Sequence, residues 1–361
     1  MNFRAFRPDE PAAPGPRELP PGRHRSPDQR NVDDWMDDWS NVLGPQPLFV
    51  PAPSAADGAG PEGFPRRASV GVPSTVFEPR PPGATSLSYR PDTIVDGWST
   101  DAFTVRMASV RGDGHRYGDR PREDDVALAV DPRTGALVFA VADGVSKARQ
   151  PHLGATLACR TAVDTVVAQL DGNRAHADID LPQVLSAAAY ALRDHASRVL
   201  ERATAGSVTV NETAQLLATT LVAGLATPTS TGLQVAVVRI GDSNAWVLNG
   251  GAYEAVWEPP PPKAQEVASS AVRPLPYVSS GLTPRGFVLP EHAVLLVGTD
   301  GFGGPLGDGV GHVGRFFAER LAAPPPALEF AHLLDFSRET FDDDRTLLAV
   351  WQRRQPAGGC T

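Results

Sequence analysis

The chain has 361 residues, with 33 basic against 42 acidic side chains and a formal charge of −9. That length allows one large domain or two small ones, and 41% hydrophobic residues are enough for a sizeable core, which excludes wholesale disorder. The acidic balance argues against a general nucleic-acid binder and suits a protein that holds divalent cations.

The opening, residues 1–16, lacks the apolar run of a secretory signal. The most apolar stretches, Leu216–Ala226 and Ala293–Gly298, fall short of the about 20 residues that a bilayer span needs. Cys159 and Cys360 are too few for a disulfide framework or a thiolate metal site. Together these features predict a cytoplasmic protein with no membrane association. Lys147 and Lys263 are the two lysines among many arginines, a usage that points to a GC-rich bacterial source.

In chain order, residues 1–100 hold 18 of the 36 prolines and read as a disordered extension. Within it, Asp33–Trp39 places Trp35 and Trp39 one helical turn apart among four aspartates, the pattern of a docking peptide or of a strap on the domain. From residue 101 regular elements begin. Phe103–Val110 alternates as a half-buried strand, and Val126–Val130 and Ala136–Ala142 form a hairpin around Asp131–Gly135. Helices are predicted over His152–Leu170 and Leu181–Ala203, the second opened by Pro182. Strands follow at Leu216–Ala226, Leu233–Ile240, Ala245–Leu248 and Tyr253–Trp257. Residues 258–290 are a long irregular insertion rich in Pro, Ser and Gly. A buried strand at Ala293–Thr299, helices at Val310–Leu321 and Ala327–Phe336, and a last strand at Leu347–Trp351 complete the domain, 101–352, before a disordered tail, 353–361. Blocks of strands and helices without strict alternation indicate an α+β domain with largely antiparallel sheets.

Aspartate placement carries the chemistry. Three apolar strands end in an acidic residue, at Asp143, Asp242 and Asp300, and two others begin after Glu123–Asp125 and Asp342–Asp344. A strand delivers its terminal residue to a sheet rim with little freedom, and several carboxylates at one rim repel unless cations lie between them. Mg²⁺ and Mn²⁺ prefer such oxygen ligands. Against this, Asp-Gly is a common turn pair, and the chain has seven.

The succession Arg120-x4-Asp125, Val141–Gly144, Ala218–Leu221, Ile240–Ser243, Thr299–Gly301 and Asp343–Thr346 resembles the metal-dependent Ser/Thr protein phosphatases of type 2C. The resemblance spans 101–352. It implies a four-layer αββα sandwich of two antiparallel sheets flanked by helix pairs, with two Mn²⁺ or Mg²⁺ ions in a cleft at the sheet rims. It implies hydrolysis of phosphoserine and phosphothreonine in proteins by a water activated between two metals, without a covalent intermediate. Carried over by position, Asp143 bridges both ions, Asp300 and Asp343 complete one, and the Gly144 carbonyl binds the other. Asp125 holds metal-bound waters, helped by Asp124, and Arg120 grips the substrate phosphate, a role suited to a bidentate guanidinium.

Two departures from the family pattern stand out. The run after Asp143-Gly144 is Val145-Ser146-Lys147-Ala148, without the histidine that eukaryotic members carry there; Lys147 is a candidate phosphate contact. A third, weaker metal site would use Asp242, but its usual second ligand position is Gly304, with Asp308 a candidate replacement. Residues 258–290 take the place of the family's flap, with Lys263 and Arg273 as candidate substrate contacts. The resemblance implies phosphorylated proteins as partners. Separately, the proline-rich extension is read as a tether to a cognate Ser/Thr kinase, and the chain is expected to be a monomer. The altered loop and Gly304 keep a second reading open: a pseudophosphatase that binds phosphoprotein without hydrolysing it.

Overall fold

Most interior strands here are apolar on both faces, because each sheet is covered on one side by helices and on the other by its partner sheet. The computed structural model describes residues 67–82, 90–201, 205–258, 273–279 and 281–353. The Trp35 segment, Lys263 and residues 354–361 lie outside the described residues.

One sheet joins β1 (Thr93–Ser99), β2 (Phe103–Val110), β7 (Asn244–Asn249), β8 (Ala252–Ala255), β10 (Val294–Gly298) and β11 (Arg345–Gln352), in the order β1-β2-β11-β10-β7-β8. The other joins β3 (Asp125–Val130), β4 (Leu137–Ala142), β5 (Leu221–Thr229), β6 (Gly232–Ile240) and β9 (Arg285–Val288), each paired with the next in that order. Every pairing is antiparallel. The helices are α1 (Asp113–Tyr117), α2 (Pro151–Asp171), α3 (Leu181–Val199), α4 (Val210–Leu217), α5 (Asp300–Leu306), α6 (His312–Arg320) and α7 (Ala327–Leu334).

Alternation within single strands sorts the side chains into three cores. On β4, Leu137, Phe139 and Val141 meet β10 residues Leu295 and Val297 between the sheets. The alternate residues Val138, Ala140 and Ala142 pack under Ala155, Ala158 and Ala162 of α2 and Leu185 and Leu192 of α3. On β11, Leu348 and Val350 face the other sheet, while Leu347, Ala349 and Trp351 meet Phe302, Phe317 and Phe330 of α5, α6 and α7. The result is the expected four layers, helices on sheet on sheet on helices.

Some boundaries differ from the sequence reading. The extension expected to be disordered to residue 100 already contains β1, and 67–82 runs along the domain, with Val70 N–H donating to the Ser337 carbonyl at 3.0 Å and Glu339 N–H to that of Val72 at 2.7 Å. The strand expected to begin at Leu216 begins at Leu221. Before it lies α4, fixed by a reciprocal cap in which the Thr209 hydroxyl accepts from Glu212 N–H and the Glu212 carboxylate accepts from Thr209 N–H. The insertion at 258–290 contains a strand, β9, paired to the edge of β6. A short helix, α5, follows Thr299 where the sequence reading had only a strand end.

Candidate metal centre

Asp143 is held by its main chain before its side chain is considered. It follows β4, its N–H donates to Thr220 Oγ1 at 3.0 Å, and its carbonyl accepts from Thr220 N–H and Thr219 Oγ1, both at 2.8 Å. Thr220 Oγ1 in turn lies 2.7 Å from Ser243 Oγ, beside Asp242. Thr220 thus ties the ends of β4 and β6 together. Their carboxylates converge: one oxygen each from Asp143, Asp242 and Asp300 lie within 4.8 Å of one another.

The opposite sheet supplies the other wall. Thr299 stands at the N-cap position of α5 without a side-chain capping bond, and Asp300 lies in the first turn, where the helix dipole favours an anion. Thr299 Oγ1 and Thr346 Oγ1 both donate to Asp124 Oδ2, at 2.8 and 2.9 Å. Gly301 is packed so closely that a Cβ would stand 1.8 Å from the Asp344 carbonyl oxygen, so no larger residue fits without moving the backbone. Gly144 is equally confined, with a Cβ 2.6 Å from the Pro151 carbonyl oxygen. Among the described residues no hydrogen bond is donated to the Gly144 carbonyl.

Charge at this rim is crowded. Burial pushes the Asp143 carboxyl well above the usual carboxylate range, and the charges of Asp124, Asp300 and Asp343 push it further. Asp300 is raised to about 6 by burial and then by Asp242 and Asp343. Burial and the Asp344 charge raise Asp343, and burial with Asp344 and Asp343 raises Asp124. Two like charges 4 Å apart near a protein surface repel by about 4 kcal/mol. Hard oxygen donors gathered against that repulsion fit a divalent cation of the Mg²⁺ or Mn²⁺ kind.

The structure separates Asp124 from Asp125, and here the sequence reading is corrected. Val126 faces the other sheet, with Leu128 and Val130 packed on the same core, while Ala127 and Ala129 pack toward α2. By that alternation Asp124 points into the rim between the sheets, and Asp125 points away, to Arg90 Nη2 at 3.4 Å and to the Thr156 hydroxyl. Asp125 is therefore not among the residues brought together, and Asp124 is. The larger apolar residues at 126, 128 and 130 were the signal for this.

The remaining sequence candidates are placed as follows. Asp343 is close enough for its charge to act on both Asp143 and Asp300. Arg120 stands at the rim with its side chain 40% exposed, its Nη2 donating to Glu123 Oε1 at 2.6 Å and to the Ser146 carbonyl at 2.8 Å. Lys147 is exposed in the same loop. Asp308 lies apart from the cluster and accepts from Val310 N–H at 3.1 Å, so it does not replace the ligand missing at Gly304.

The sequence reading missed a buried support. Asp344 accepts from the backbone N–H of Gly112 and Glu123, and His115 Nδ1 lies 2.9 Å from it. Burial opposes a charge on His115, but the adjacent Asp344 carboxylate and the charge of Glu123 prevail and raise its pKa. The Asp344 carboxyl is held below the usual range despite burial, chiefly by His115.

Two stacked antiparallel sheets thus present, at the rim between them, an acidic cluster suited to hard divalent cations. The family model for protein phosphatase 2C matches residues 111–330, more than half of the chain. The chain belongs to the protein phosphatase 2C family, and it is a metal-dependent Ser/Thr protein phosphatase. Among solved structures it is similar to RsbX in complex with magnesium (12% identity, 72% of this chain and 100% of that one, TM-score 0.44). It is similar also to PppA of Pseudomonas aeruginosa (21%, 71% and 100%, 0.42). A third is the catalytic domain of the phosphatase PstP in complex with two manganese ions (17%, 70% and 99%, 0.45). No curated protein matches the chain. Among the described residues no helix is long and apolar enough to cross a membrane.

Proposed function

We propose that the rim cluster holds two Mn²⁺ or Mg²⁺ ions and that hydrolysis of phosphoserine and phosphothreonine takes place against it. The observation that carries the reading is the convergence of Asp143, Asp242 and Asp300 from three separate strand ends, with Asp343 beside them. Asp143, Asp300, Asp343 and the Gly144 carbonyl are the candidate ligands of the pair. Asp242 is the candidate for a third, weaker site. When bound, the cations make water nucleophilic near neutral pH and offset the charge on the phosphoryl oxygens.

The protein's own groups then have separate tasks. Asp124 adds negative charge at the rim and is held there by the Thr299 and Thr346 hydroxyls. Arg120 receives the phosphate, and Glu123 fixes one edge of its guanidinium while the rest stays open to substrate. Ser146 donates to Glu123 Oε2 at 2.9 Å, which ties the loop after Gly144 to the same carboxylate. Lys147 adds a positive charge near the incoming phosphate. Arg273, held over the Tyr277 ring at 5.5 Å, is the candidate contact for the protein part of the substrate.

The partners proposed are bacterial phosphoproteins in the cytoplasm, with a kinase reached through residues 1–100 and the enzyme acting as a monomer. Hydrolysis of phosphothreonine peptides with Mn²⁺ tests the reading. Turnover should stop with EDTA, return with added Mn²⁺ and be absent in Asp143→Ala/Asp300→Ala. Turnover in that double variant equal to the unaltered protein would refute it.

A further inference from the structure

Behind the metal rim, on the α2 side of β3, lies a second cavity of about 260 Å³ lined by Arg90, Arg122, Arg160, Asp125, Thr156 and Cys159. In a chain of net charge −9, three guanidiniums here face a single carboxylate. That carboxylate, Asp125, is already engaged by Arg90 at 3.4 Å and by the Thr156 hydroxyl, with Arg122 at 3.9 Å.

Arg122 is the anchor. It is 2% exposed, and its Nη1 donates to Ser109 Oγ and to the Asp124 carbonyl. Its Nε reaches the Pro91 carbonyl at 3.4 Å, while its Nη2 has no hydrogen bond among the described residues. Arg90 is fixed beside it, bonded to the carbonyls of Arg122 and Asp124 and to Thr156. Burial disfavours the Arg122 charge, and Arg90 adds repulsion. Arg160 stands exposed on α2 and forms no ion pair among the described residues. A buried guanidinium with one nitrogen unengaged, a fixed second one and an unpaired third at the mouth offer donors to the oxygens of a tetrahedral oxyanion.

We propose that this cavity is an anion site that takes a phosphate-class oxyanion, separate from the metal rim and facing the other side of the Asp124–Asp125 peptide. Its volume equals the share of roughly nine liquid waters at about 30 Å³ each, room for a phosphate or a small phosphomonoester and not for a folded peptide. The site does not depend on the phosphatase reading, since its residues are not those assigned to the metals.

The test uses the full chain freed of metal, in which the carboxylate rim repels anions. Inorganic phosphate and phenyl phosphate are titrated separately by calorimetry, which distinguishes a free oxyanion from a phosphoryl group on a carrier. Binding of either at one site per chain is expected. Arg160→Ala, an exposed position that leaves the buried arginines in place, should weaken it at least tenfold, and Arg120→Ala at the metal rim should leave it unchanged. The proposal is overturned if neither anion binds, if Arg160→Ala binds as tightly as the unaltered protein, or if binding is lost in Arg120→Ala.

Discussion

Asp124 and Asp125 differ only in which side of β3 they leave, yet that difference divides the acidic rim from the cavity behind it. Asp124→Asn keeps the shape and removes one charge from the rim, and groups of this supporting kind typically contribute about 10- to 100-fold to metal affinity or activity. Mn²⁺-dependent turnover should fall by about that factor, whereas Asp125→Asn should stay within about threefold; kinetics on p-nitrophenyl phosphate compares them. Asp300 gives a pH prediction. Its carboxyl is raised to about 6, above its unfolded value, mainly by burial and by Asp242 and Asp343. A raised carboxylate contributes stability at low pH and loses it as pH climbs through about 6. The metal-free protein should therefore lose melting temperature between about pH 4 and 6, and Asp300→Asn should flatten that slope. Added Mn²⁺ should raise the melting temperature more at pH 7 than at pH 5, because it binds the ionised form.

The elements that carry the site were largely legible in the sequence, because apolar runs buried on both faces leave few alternatives. The strand ends before Asp143, Asp242 and Asp300 follow from Val138–Ala142, Val235–Ile240 and Val294–Gly298 directly. What was hidden depended on tertiary packing. The contacts of Asp344 with Gly112, Glu123 and His115 join segments distant in the chain, and no local pattern announces them. The helix α4 was obscured because Leu216, Leu217 and Ala218 run on into β5, although Thr209 and Glu212 have the spacing of a cap. Gly301 shows how a turn signal can conceal a packing demand. An alanine there meets the Asp344 carbonyl, and overpacking of this kind costs about 1–3 kcal/mol. Gly301→Ala should lower the denaturation midpoint accordingly, in urea titrations followed by circular dichroism.

At the scale of the molecule, the described residues before the family-matched region, 67–82 and 90–110, are part of the folded domain. Arg67 joins it to α1 and α7's end, through two 2.9 Å bonds to Asp113 and a 3.1 Å ion pair with Asp335. Asp113 is 5% exposed, and removing one partner of a buried charge costs about 1–3 kcal/mol. Arg67→Ala should therefore lower the melting temperature by several degrees, read by calorimetric scanning, with the acidic rim left intact.

Acidic side chains from both sheets meet at one rim, where divalent cations would relieve their repulsion. Titration of the metal-free protein with Mn²⁺, followed by calorimetry, addresses this most directly. Two ions per chain should bind to the unaltered protein, and that binding should vanish in Asp143→Ala/Asp300→Ala. No binding to the unaltered protein, or the same binding in both, would contradict it.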